Sequence, residues 1–120
     1  MPKHILVIED EEGFRSLLYD ILANEGYSVD ASPYLATAVG CALSGSYDLI
    51  TLDLRMPGID GVEIAQLFKH LALLTPIVVI SGYLNASLVT QLKQMGIHYI
   101  LSKPVDVSQI IDTVKDALTG

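Results

Sequence analysis

Residues 4–12 read His4-Ile5-Leu6-Val7-Ile8-Glu9-Asp10-Glu11-Glu12, a short apolar run that stops at four consecutive carboxylates. Ile5 to Ile8 lacks the polar alternation of a half-solvated strand, so both of its faces must be covered, as in an interior strand of a parallel sheet. Just beyond, Phe14, Leu17, Leu18, Ile21 and Leu22 fall at i, i+3, i+4, i+7 and i+8, one apolar stripe of a helix. Strand, acidic turn and helix together make a βα unit with its charges gathered at the strand's carboxyl end.

The same unit recurs along the chain. Strand-like runs rich in β-branched or aromatic residues are predicted at 4–8, 27–31, 49–52, 77–80 and 99–101. Between them lie further helical stripes: Leu35, Ala38, Val39, Ala42 and Leu43; Ile64, Leu67, Phe68 and Leu71; Leu84, Leu88, Leu92 and Met95; Val107, Ile110, Ile111, Val114 and Leu118. Gly26, Gly45 and Gly96 stand just past three of these helices, where a left-handed cap needs a residue without Cβ. Five alternating βα units predict an α/β domain with a parallel sheet covered on both faces. The first, third and fourth strands are nearly unbroken Ile/Leu/Val runs and belong inside. Tyr27-Ser28-Val29-Asp30-Ala31 alternates and Tyr99-Ile100-Leu101 is brief, so these belong at the edges. The order 2-1-3-4-5 satisfies this, a flavodoxin-like (βα)5 doubly wound sheet whose ligand site lies beyond the carboxyl ends of strands one and three.

Composition excludes several classes. The 120 residues fit one domain, 1–120, with 51% apolar and 18% charged side chains, well outside the disordered range. Fourteen acidic against seven basic residues give a formal charge of −7, and the basic residues form no stripe. Direct nucleic-acid binding by this segment is therefore not expected. No apolar run approaches the roughly 20 residues of a membrane span, and the N-terminus lacks the pattern of a signal peptide. Cys41, the one cysteine, permits no internal disulfide and suits a reducing compartment. A cytoplasmic location is expected.

The carboxyl ends of the strands carry the chemistry. Glu9 to Glu12 follow strand one, Asp53 closes strand three, Ser81 follows strand four and Lys103 follows strand five. Neighbouring parallel strands lie about 4.8 Å apart, so Asp10 and Asp53 come close. Two carboxylates about 5 Å apart repel by roughly 3 kcal/mol at an effective dielectric of 20. A hard divalent cation is the natural counter-charge, and Mg²⁺ favours one or two carboxylates together with waters and phosphate oxygens. Acidic residues in a first helical turn also interact well with the helix dipole, which accounts for Glu11 and Glu12. It does not account for Asp53 on another strand or Lys103 across the rim. Lys103 is suited to pair with a phosphate oxygen on Asp53. Ser81-Gly82 reads either as a turn or as a hydroxyl donor to that phosphate.

The segments Ile5-Leu-Val-Ile-Glu-Asp-Glu-Glu12 and Asp48-Leu-Ile-Thr-Leu-Asp-Leu-Arg-Met-Pro-Gly-Ile-Asp-Gly61, with Ile80-Ser-Gly82 and Lys103-Pro104, resemble the response-regulator receiver domains of two-component phosphorelays. The likeness runs through essentially the whole chain. It implies that Asp53 is the phosphoacceptor, attacking as a carboxylate nucleophile. It also implies Mg²⁺ held by Asp10, Asp53 and the Arg55 backbone carbonyl, with Glu9 acting mostly through water. Ser81 and Lys103 would hold the phosphoryl oxygens. The implied donor is a sensor histidine kinase or histidine phosphotransfer protein, and residues 84–118 would signal to an output domain or partner. Such a domain catalyses its own phosphorylation and dephosphorylation but is a switch, not a turnover enzyme.

The chain departs from the family where many members place an aromatic ring three residues before the lysine. Ile100 stands there, with Tyr99 one place earlier, which predicts a weaker or differently wired switch. Between Leu84 and Met95 only Lys93 is charged, and Asn85, Ser87, Thr90, Gln91 and Gln94 are expected to face outward, a neutral surface suited to docking or homodimer contact. Three alternatives are weaker. An FMN binder would need a Ser/Thr/Gly-rich phosphate loop where Glu-Asp-Glu-Glu stands. An aspartyl phosphatase would want an acid two residues after Asp53, where Arg55 stands. A pseudo-receiver acting through phosphorylation-independent contacts should have lost Asp53, Asp10 or Lys103.

Overall fold

In a computed structural model describing residues 2–55, 60–72 and 74–120, five strands alternate with five helices. The order is β1 (His4–Ile8), α1 (Glu12–Asn24), β2 (Ser28–Ser32), α2 (Leu35–Ser44), β3 (Leu49–Leu52), α3 (Gly61–Leu71), β4 (Ile77–Ser81), α4 (Ala86–Gln94), β5 (Tyr99–Ser102) and α5 (Val107–Thr119). The strands form one sheet in the order β2-β1-β3-β4-β5, and every pairing is parallel. The interior strands β3 and β4 are buried at every position, whereas β2 and β5 are partly exposed. Apolar continuity thus marked the centre of the sheet, and alternation or brevity its edges.

Successive residues of β1 serve opposite faces of the sheet. Ile5 and Val7 join Leu18, Leu22, Ile110 and Val114 in a core beneath α1 and α5. Leu6 and Ile8 join Ile64, Phe68 and Leu92 in the core beneath α2, α3 and α4. The fully buried Phe68 ring is worth about 1.5–3 kcal/mol in area removed from water. No helix among the described residues is long and apolar enough to cross a membrane.

Helix boundaries follow local chemistry. Asp60 caps α3 through Val62 N–H at 2.7 Å, and an Asp106–Gln109 capping box opens α5. Asn85 accepts from Leu88 N–H at 2.9 Å, so α4 begins at Ala86 and Leu84 lies in the preceding loop, packed against the core. Gly26 and Gly96 take φ of 91° and 88°, the left-handed caps expected of them. Gly45 does not: its φ is −101° and ψ 159°. There the chain leaves α2 in an extended conformation to enter β3 by a short path, and no left-handed turn is required.

At the N-terminal rim one carboxylate ties β1 and β2 to the loop that enters β3. Asp30 of β2 accepts from Tyr47 Oη and contacts His4 Nε2, both at 2.8 Å. The His4 and Tyr47 rings lie 4.4 Å apart. Burial, and then the Asp30 charge, push the Tyr47 phenol well above its ordinary pKa.

Thr51 lies in the middle of β3, paired with Val7 and Val78 on its two sides. Its buried Oγ1 finds no hydrogen-bond partner among the described residues. Leaving such a group unpaired costs about 1–3 kcal/mol. Thr51→Val is therefore expected to raise stability by about 1 kcal/mol, seen as a higher urea midpoint at unchanged slope. A lower midpoint would mean that the hydroxyl is satisfied, for example by a buried water.

Candidate functional site

The hydrogen-bond ladder of the sheet continues past the ends of the strands and carries the candidate residues with it. Asp53 N–H donates to the Ile8 carbonyl at 3.0 Å, Glu9 N–H to Ser32 at 3.1 Å, and Lys103 N–H to Ser81 at 3.0 Å. The side chains of Glu9, Asp53 and Lys103 are therefore placed by main-chain pairing between neighbouring strands. Lys103 is joined to Pro104 by a cis peptide.

Glu9, Asp10 and Asp53 each offer a carboxylate oxygen, and these three atoms lie within 4.8 Å of one another. Glu9 and Asp53 are buried, at 1% and 3% exposure, and Asp10 is half-buried. Lys103 Nζ stands 2.9 Å from Glu9 Oε1, 3.5 Å from Asp53 Oδ2 and 3.7 Å from Glu11 Oε2. Burial, reinforced by Asp53 and partly offset by Lys103, pushes the Glu9 carboxyl up to about 7. Burial acts to lower the Lys103 ammonium, but Glu9, Asp53 and Glu11 outweigh it and hold it above its ordinary value. The second oxygen of each buried acid is occupied by backbone: Glu9 Oε2 accepts from Glu11 N–H at 3.1 Å, and Asp53 Oδ1 from Arg55 N–H at 3.0 Å.

A cavity of about 700 Å³ opens above this cluster, lined by Asp10, Glu11, Asp53, Arg55, Tyr83 and Lys103, among others. Glu9 is not among its lining residues and braces Lys103 from beneath. Ser81, fully buried at the end of β4, accepts from Tyr83 N–H at 3.3 Å. At the mouth the Arg55 guanidinium lies 4.3 Å from the centre of the Tyr83 ring, a cation–π contact. Ile100 stands apart from the cluster. It is half-buried, pairs with Val79, and packs against the core beneath α4.

The sequence expectations thus converge for Glu9, Asp10, Asp53 and Lys103, and Ser81 adjoins them. Arg55 meets Asp53 through its N–H. Residues 56–59 of the motif after Asp53 lie outside the described residues. Glu11, expected to serve only the helix dipole, also faces Lys103. Phe14 and Arg15 were missed. The Phe14 ring centre lies 4.3 Å from Lys103 Nζ. The Arg15 guanidinium donates to the Glu9 and Asp10 carbonyls at 3.2 and 3.4 Å. The apolar stripe accounts for Phe14 as a core position, and Arg15 carries no motif of its own; their nearness in sequence to Glu9 and Asp10, at the start of α1, was the available signal.

The donor set is all oxygen and strongly anionic, which fits a hard divalent cation far better than a soft one. It is a metal-binding type of cluster set around a buried carboxylate that is open to a cavity.

A family model, response regulator receiver domain, matches residues 5–115. Sporulation initiation phosphotransferase F of Bacillus subtilis (strain 168) is 29% identical over 118 residues, covering 98% of this chain and 95% of that protein. Two transcriptional regulatory proteins of the same organism are about twice as long, and the chain spans 50% and 47% of them. A CheY-like receiver domain protein from Methanospirillum hungatei JF-1 superposes with a TM-score of 0.93 at 20% identity, over 99% of this chain and 95% of that one, and speaks for the fold. A Burkholderia pseudomallei response regulator, whose structure holds a phosphorylated aspartic acid, a calcium ion and citrate, gives a TM-score of 0.84 at 26% identity over 98% of this chain and 75% of that one. This chain belongs to the response regulator receiver domain family, a class of signalling switches that receive phosphoryl groups from kinases or phosphotransferases.

Proposed function

We propose that residues 1–120 act as one receiver domain in the cytoplasm and that Asp53 is its phosphoacceptor. The observation that carries this reading is the position of Asp53. It is a nearly buried carboxylate at the carboxyl end of a central strand, facing a cavity, with two acids beside it and an ammonium 3.5 Å away. A carboxylate oxygen of Asp53 attacks the donor phosphorus, the bond from phosphorus to the donor's leaving group breaks, and an acyl phosphate forms. Lys103 pairs with one phosphoryl oxygen. The Ser81 oxygen already accepts from Tyr83, which leaves its own proton available to another. Asp10, Asp53 and the Arg55 carbonyl would hold Mg²⁺, with Glu9 supporting through water. When bound, the ion neutralises charge on the incoming and transferred phosphoryl group. The donor is a sensor histidine kinase or histidine phosphotransfer protein, and the domain promotes its own phosphorylation and dephosphorylation.

Residues 84–118 form the proposed readout surface for an output domain, a partner or a second copy. The polar face of α4 is neutral and largely satisfied within itself: Thr90 donates to Ala86 O, Gln91 to Ser87, and Asn85 caps the helix. Covering it desolvates little that is charged. Ile100, at the edge of the core beneath α4, is proposed to couple that helix to the site.

Incubation with acetyl phosphate and Mg²⁺ is expected to add one phosphoryl group by intact mass, and none to Asp53→Asn or in EDTA. A folded, Mg²⁺-binding chain that gains no mass from acetyl phosphate or from a kinase would identify a phosphorylation-independent interaction module instead. Asp10→Asn relieves part of the repulsion in the cluster. Without metal it should be more stable than the wild type, by about 1 kcal/mol after solvent screening. It should also lose the Mg²⁺-dependent rise in Tm shown by the wild type. An unchanged Mg²⁺ response would remove Asp10 from the ion's ligands. For the readout surface, Ile100→Ala should weaken a phospho-dependent partner by roughly 0.5–2 kcal/mol of coupling, with hydrogen-exchange protection across 84–118 as the companion readout. A monomeric sedimentation profile in both phosphorylation states, with no added protection when a partner is present, would sink the docking role.

A further inference from the structure

We infer that Phe14 is a positioning residue for Lys103, its ring holding the ammonium over Asp53. The inference rests on the phosphoacceptor reading of Asp53 and assigns a function to a side chain that the sequence presents as core. Phe14 lies in the first turn of α1, half-buried, at the margin of the core beneath α1 and α5. Its ring centre is 4.3 Å from Lys103 Nζ, well inside the roughly 6 Å reach of a cation–π contact.

Three carboxylates compete for that ammonium. Glu9 holds it from beneath, Asp53 is the partner relevant to transfer, and Glu11, 66% exposed, draws it outward. A further carboxylate in place of the ring would take an N–H and add negative charge where an anionic donor must arrive. The face of an aromatic ring attracts the cation without accepting a directed hydrogen bond and without net charge. It also excludes water from one side of Lys103, whose side chain is only 18% exposed. The ammonium can then pivot from Glu9 towards a phosphoryl oxygen while staying over Asp53. An aliphatic residue of similar bulk would fill the space but not attract the cation.

The test uses the full chain with Phe14→Leu and Phe14→Tyr, acetyl phosphate and Mg²⁺, with urea midpoints to check folding. Phe14→Leu is expected to slow phosphorylation roughly three- to tenfold, and Phe14→Tyr to restore the rate to within about twofold. The Lys103 ε-methylene protons should show an upfield ring-current shift in the wild type and in Phe14→Tyr, and lose it in Phe14→Leu. A merely structural role for Phe14 would predict no such aromatic dependence. Wild-type rates in Phe14→Leu, or equal slowing in both variants, would overturn the inference. So would ε-methylene protons at random-coil positions in the wild type, with the phosphoacceptor reading left standing. A wild-type chain that takes no phosphoryl group would sink that reading and this inference together, and the two failures are thereby told apart.

Discussion

The ammonium of Lys103 closes the rim of this domain. It joins the last strand to the first across 94 residues of chain, through Glu9 at 2.9 Å, and reaches Asp53 on the strand between. Without a cation there, Glu9 and Asp53 would face one another as buried like charges, each several kcal/mol out of favour with its surroundings. With it, the acids can be crowded closely enough to serve as a cation site while the sheet remains folded. Burial first, and the neighbouring Asp53 carboxylate after it, push the Glu9 carboxyl up to about 7, and Lys103 offsets them only in part. Some repulsion persists in the resting state.

That crowding of buried acids is what a bound cation or an added phosphoryl group would act on. A site relaxed to its minimum would have little to gain from a metal ion or an added phosphoryl group. This one is held near its ligands' geometry by main-chain bonds that extend the ladder to Asp53, Glu9 and Lys103, so it cannot relieve its charge by splaying apart. Stability is given up at the rim and regained in the two cores beneath. Such an exchange is common where function requires strained or unbalanced groups.

Much of this was legible in the residues. Ile5 to Ile8, with no polar residue, and Leu49 to Leu52, interrupted only by Thr51, declared buried strands, and the bounds expected for both strands match the structure. The ends of the other strands were harder: β2 runs one residue later than expected, and β4 and β5 each extend one residue further, into Ser81 and Ser102. Serine carries no strand signal of its own, and only the neighbouring ladder tells it where to stop. The acids and the lysine were legible because charge at several strand ends has few structural explanations. The contacts of Phe14, Arg15 and Glu11 were not. A ring or guanidinium at helical spacing looks the same whether it meets aliphatic neighbours or a lysine nearly ninety positions away. Gly45 was misread for a related reason: glycine after a helix suggests a left-handed turn, but the route into the next strand decides whether one is needed.

The cluster of His4, Asp30 and Tyr47 sits at the opposite rim and touches none of the chemistry, yet it bears on how that chemistry is transmitted. It fastens β1, β2 and the entry to β3 to one another at a single carboxylate. On this side the sheet behaves as a beam clamped at its base, its far tips carrying the charged groups. Sliding of the edge strand at its root would break both of the Asp30 contacts as well as the main-chain ladder to β1. The loops at the other end, around the charged groups, have no such side-chain tie to the edge strand among the described residues, and movement there costs less.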